Sequence, residues 1–121
     1  MSGWIGVDLD GTLAQYSGFI GPTVIGPPIP LMVERVKKWL AEGRAVKIFT
    51  ARVCGFRMPE ERREVEEAIQ DWCREHIGAM LPITNEKDYA MIELWDDRCV
   101  QVIPNTGKRA DEAWQDFTKD K

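Results

Sequence analysis

Apolar and polar positions along this chain fall into short blocks of two kinds. Trp4-Ile5-Gly6-Val7-Asp8-Leu9 is a largely apolar run stopped by Asp10-Gly11, which predicts a buried strand. Ala45-Val46-Lys47-Ile48-Phe49-Thr50 predicts a second. Residues 81–83 predict a short strand, placed at an edge because Pro82 has no N–H for a neighbour. Residues 91–95 and 100–103 predict two more. Elsewhere the apolar period is three to four. Met32, Val33, Val36, Trp39 and Leu40 line one face of a helix from about residue 30 to residue 42, with Pro30 opening it and Gly43 closing it. Val65, Ile69, Trp72, Cys73 and Ile77 line a second, from residue 59 to about residue 77. Its first turn carries Glu60 and Glu61, favoured by the helix dipole, and Gly78 ends it. Ala110, Ala113, Trp114 and Phe117 give a closing helix its inner face, and Trp114 and Phe117 could instead seat a partner subunit in a homo-oligomer. Strands alternating with helices predict an α/β sandwich around a mainly parallel sheet.

Between the first strand and the first helix lie residues 13–29, interrupted by Gly18, Gly21, Gly26, Pro22, Pro27 and Pro28. A connection this long in a small domain is usually functional, and it is read here as a flap. The whole chain of 121 residues is read as one domain. It has 16 Lys and Arg against 20 Asp and Glu, a net charge of −4, which disfavours nonspecific binding of nucleic acid. Three cysteines without a CxxC pair predict neither a disulfide framework nor a thiolate zinc site, and Cys54 and Cys73 read as small buried thiols. No apolar run is long enough to span a bilayer and the first residues do not resemble a signal peptide, so the expected location is cytoplasmic, away from membranes.

In parallel α/β sheets the ligand crevice lies beyond the carboxyl ends of the strands. Here those ends carry Asp8 and Asp10, Thr50, and Asp96 and Asp97. Side chains two apart on a strand share a side, so both carboxylates of the first pair can point into one crevice. Two like charges 4 Å apart repel by about 4 kcal/mol at an effective dielectric of 20, so converging acids call for protons or a hard cation. An oxygen-rich set without histidine suits Mg2+. A hydroxyl from Thr50 and an ammonium from Lys87 complete a set of groups fit for a phosphoryl group.

Asp8-Leu9-Asp10-Gly11-Thr12 after an apolar strand, Thr50 ending the second strand, then Lys87 and then Asp96-Asp97, taken in this order, resemble the four motifs of the haloacid dehalogenase-like (HAD) superfamily of phosphohydrolases. The resemblance implies a three-layer, Rossmann-like sandwich, and, unusually for that family, residues 13–29 and 51–84 leave almost no room for a separate cap domain. It also implies a covalent mechanism, with Asp8 as nucleophile forming an aspartyl-phosphate and Asp10 as acid and base. Asp8, the Asp10 carbonyl, Asp96 and Asp97 would hold Mg2+, and Thr50 and Lys87 would bind phosphate. Gly11 and Thr12 would support the turn. Asp10 favours a phosphatase over a dehalogenase. Phe49-Thr50-Ala51-Arg52 and the small size also resemble the phosphatase half of polynucleotide kinase-phosphatases, whereas Asp88 after Lys87 departs from the common Lys-Pro form. In an open, capless site, selectivity falls to the flap, to Arg52 and Arg57, or to a neighbouring subunit. The substrate would then be a phosphorylated small metabolite or an exposed phosphate on a larger molecule.

Other readings stand beside these. Asp97 could be a solvated turn residue, Lys87 a surface lysine, and Arg52 one half of a surface ion pair. A response-regulator receiver domain uses similar groups, but its paired acids end the first strand and its phosphorylated Asp the third. A noncatalytic phosphate- or metal-binding module on the same scaffold is the alternative function.

Overall fold

A computed structural model describes residues 3–56 and 58–112. The elements run β1 (Trp4–Asp8), α1 (Pro30–Ala41), β2 (Ala45–Phe49), α2 (Pro59–His76), β3 (Ile83–Thr84) and β4 (Met91–Trp95), with single 3-10 turns at Ala51–Val53 and Ala110–Glu112. The four strands form one sheet in the order β3-β2-β1-β4, and every pairing is parallel. The fold is therefore α/β. Chain direction runs outward from β1 through β2 to β3, then returns to the far side of β1 with β4. The order thus reverses at β1, beside β4, which is where such sheets open a crevice.

The helices form where the apolar period predicts them. Pro30 occupies the first turn of α1, and Met32, Val33, Val36 and Trp39 are its buried face. At its end Arg44 N–H donates to Trp39 O at 2.9 Å and Gly43 N–H to Leu40 O at 3.0 Å, with Gly43 at φ +81°. That pair of bonds is a Schellman closure, and the left-handed residue in it favours glycine. Val65, Ile69, Trp72 and Cys73 are the buried stripe of α2, continued by Ile77. Both helices share one core with Ile5, Val7, Val46 and Ile48, the residues that alternate onto one face of β1 and β2. On the opposite face Trp4 is covered differently. Lys47 Nζ lies 4.5 Å from its ring centroid, and its indole Nε1 donates to Asp88 Oδ1 at 2.8 Å.

Three expectations need correction. Residues 100–103 form no strand: Val102 makes a single antiparallel bridge to Arg109, and Val100 and Val102 are half-exposed. Cys54 is exposed rather than buried, as is Cys99. Only Cys73 behaves as a core thiol, and burial pushes it up to about 12. The flap also begins later than its composition predicts, because Leu13 and Ala14 are fully buried. Arg57, Ala113, Trp114 and Phe117 lie outside the described residues. No helix among the described residues is long and apolar enough to cross a membrane.

Candidate functional site

Asp8 is the last residue of β1, in register with Phe49 of β2, and Asp96 and Asp97 follow β4 directly. Because β1 pairs with both β2 and β4, parallel registry carries all three strand ends to one edge of the sheet. There one carboxylate oxygen from each of Asp8, Asp96 and Asp97 lies within 4.8 Å of the others. A pocket of about 400 Å³ opens over them, lined also by Asp10, Thr50, Arg52 and Arg98, with Tyr16 and Phe19 from the flap. A larger groove of about 610 Å³ lies against the outer face of α2 and contains none of these acids. The smaller pocket holds the candidate chemistry.

The acids raise one another's energy. Asp8 is pushed up to about 7, first by burial, then by the negative charge of Asp96 and the hydrogen bond and charge of Asp97, against a small opposing pull from Thr12. The charges acting on it are all negative, which is the condition a hard divalent cation relieves. Cys99 beside them is also pushed up, by burial and then by Asp96 and Asp8.

Gly11 and Thr12 do more than make a turn. Gly11 sits at φ +88°, and a Cβ there would collide with the Asp97 carboxylate. The backbone conformation favours glycine here, and a side chain would also push the Asp97 carboxylate out of its present place. The Thr12 hydroxyl lies 3.3 Å from Asp8 Oδ2 and 3.4 Å from Asp97 Oδ1. It has one proton, so it donates to one carboxylate at a time and keeps the pair together.

Thr50 is 2% exposed, and its Oγ1 accepts from Arg52 N–H at 3.1 Å, capping the turn Ala51–Val53. That turn aims the Arg52 side chain across the pocket floor. Arg52 Nε donates to Asp10 Oδ2 at 2.7 Å and Nη2 to Asp10 Oδ1 at 2.9 Å, a two-pronged pair. Nη1 reaches the flap carbonyls of Gly21 and Pro22 at 3.1 and 2.9 Å. Sequence reading treats Arg52 as a substrate contact or a surface pair. In the fold it lines the pocket and is the largely buried ion-pair partner of Asp10. The signal in the sequence is its place two residues after a strand-ending threonine, in the run Phe49-Thr50-Ala51-Arg52.

Lys87 is not brought to the pocket. It is exposed on the loop between β3 and β4, outside the pocket's lining. Its neighbour Asp88 is held by the Trp4 indole and lies 4.0 Å from Lys47 Nζ, while Ala90 O accepts from Trp4 N–H at 2.9 Å. These contacts pin the loop at the opening of β1, roughly 13 Å along the strand from Asp8 at about 3.3 Å per residue.

No family model matches the chain, and no curated protein matches it. In fold it is similar to a conserved protein from Bacteroides thetaiotaomicron whose structure has been solved. The two are 24% identical, the match covers 87% of this chain and 84% of that one, and the TM-score is 0.55. The likeness supports the parallel α/β arrangement along most of both chains.

Proposed function

We propose that the protein is a Mg2+-dependent phosphomonoester phosphatase of HAD-like type, with a three-layer Rossmann-like sandwich and no separate cap domain. The observation that carries this reading is the convergence of Asp8, Asp96 and Asp97 within 4.8 Å at the point where strand order reverses. The donor set suits the ion, being oxygen-only, with the pKa of Asp8 raised by burial and then by its acidic neighbours. Asp8, Asp96 and Asp97 would hold Mg2+, and when bound it supplies charge neutralisation for the phosphoryl group.

In the proposed reaction an Asp8 Oδ attacks phosphorus, and the bond from phosphorus to the ester oxygen breaks. Asp10, which exchanges one Arg52 N–H for a proton on the same carboxylate oxygen, gives that proton to the departing oxygen. A water then loses a proton to Asp10 and attacks the aspartyl-phosphate, whose P–Oδ bond breaks to release orthophosphate and restore Asp8. Thr50, almost wholly buried in the pocket lining, would orient a phosphoryl oxygen. Lys87 takes no part in this version of the site. With a net charge of −4, a small phosphorylated metabolite is favoured over a nucleic-acid end.

Phosphate release from a panel of sugar phosphates, nucleotides and 3′-phosphorylated oligonucleotides, with and without Mg2+, tests the proposal. Asp8→Asn is expected to abolish turnover while circular dichroism stays native, and EDTA to suppress wild-type turnover until Mg2+ is returned. Full activity of Asp8→Asn would remove the covalent route. A protein that binds phosphate or Mg2+ yet releases phosphate from no substrate would instead be a binding module.

A further inference from the structure

Arg52 joins two parts of the molecule that nothing else among the described residues joins by hydrogen bonds. The flap is closed at its base by Gln15 N–H to Pro27 O and Ile29 N–H to Leu13 O, both 2.8 Å. The Trp72 indole donates to Gly26 O at 2.9 Å, fastening that base to α2. Between residues 16 and 25 the internal bond is Val24 N–H to Gly21 O at 3.2 Å, and the described hydrogen bonds to the body are those of Arg52 Nη1 to Gly21 and Pro22. Phe19 adds its ring, 5.8 Å from the guanidinium carbon. The same guanidinium grips both oxygens of Asp10, and its side chain is 7% exposed.

A guanidinium has five N–H donors. Two here go to one carboxylate and two more hydrogen bonds to the flap, so little of its donor capacity is left for a substrate anion while the flap is down. A fork held by both carboxylate oxygens fixes the plane of that carboxylate as well as its distance, which a lysine ammonium cannot do. We infer that Arg52 is a positioning residue that makes the orientation of the Asp10 carboxylate and the closure of the flap a single coupled equilibrium. Flap closure sets the fork, and the fork sets Asp10. Opening the flap for substrate or product removes the Nη1 partners and slackens the grip on Asp10. The proton-transfer role of Asp10 rests on the proposed function; the mechanical coupling does not.

Two measurements on the full chain test this separately. Chymotrypsin nicking at Tyr16 and Phe19 reads flap opening without any substrate. Arg52→Ala, Arg52→Lys and Asp10→Ala are each expected to raise the nicking rate, and Asp10→Ala/Arg52→Ala to be no faster than Arg52→Ala alone. An Asp10→Ala protein nicked at the wild-type rate would overturn the coupling, as would fully additive effects. For turnover, Arg52→Ala is expected to lower kcat by roughly 10–100-fold, short of the roughly 100–10,000-fold of a whole acid–base contribution because Asp10 itself remains, with a smaller change in KM. Added guanidinium ion should restore part of kcat in Arg52→Ala and none in Asp10→Ala. A raised KM with unchanged kcat would make Arg52 a substrate contact and overturn the positioning role. Should the wild type release phosphate from nothing, the proposed function fails, and the nicking experiment still decides the coupling.

Discussion

Asp8 shows most plainly how a residue's chemistry depends on what folding puts beside it. Alone in an unfolded chain its carboxyl would titrate near 3.8, but in the folded protein it is pushed up to about 7 by burial and by Asp96 and Asp97. A carboxyl that binds its proton more tightly when folded stabilises the fold at low pH, and that contribution is lost as pH rises. Metal-free protein is therefore expected to lose stability between about pH 4 and pH 7, with no further loss from this group above. Mg2+ should reverse the loss. In EDTA at pH 8, Asp8→Asn should raise Tm by roughly 5 °C, a modest figure because the group is partly solvated. Thermal melts across pH with EDTA or Mg2+ check this, and a metal-free Tm that is flat from pH 4 to pH 8 would contradict it. Thus one substitution is expected to remove activity and add stability, because the same buried carboxylate among negative charges underlies both.

At the scale of elements, both long helices were legible from spacing alone. Val65, Ile69, Trp72, Cys73 and Ile77 repeat at helical intervals and are all buried. A helix makes its backbone bonds within itself, so an apolar stripe and two end signals go far toward defining it. Ile69 is fully buried at the centre of the α2 stripe. Ile69→Ala is expected to cost about 2–5 kcal/mol, read as a lowered urea midpoint with an unchanged slope. Strands were less secure. Residues 91–95 and 100–103 have comparable apolar patterns, yet only the first joined the sheet, while the second made a single bridge to Arg109. Strand identity depends on a partner elsewhere in the chain, and the sequence of one segment does not carry that information.

For the molecule as a whole, strand order decides which residues meet. The return of the chain from β3 to β4, across β2 and β1, brings Asp96 and Asp97 beside Asp8. The same passage carries Lys87 along a loop tied by Asp88 to Trp4 and Lys47. Lys87→Ala is accordingly expected to change kcat/KM by less than about threefold, the scale of a surface substitution. A loss of several orders of magnitude would place its ammonium in the site. The motif order that suggested a phosphate-binding lysine is a statement about sequence, whereas the tether at Asp88 is a contact across 84 positions.

By itself the sequence determined the α/β alternation, both long helices and the set of acids at strand ends. These follow from short-range periodicity and from the rule that chemistry gathers where parallel strands finish. Only the tertiary structure decided that Gly11 makes room for Asp97, that Thr12 spans two carboxylates, and that Arg52 grips Asp10 and the flap together. Each of these depends on side chains brought together from distant parts of the chain. Local pattern sets which way a residue faces; the packing of the sheet sets what it faces.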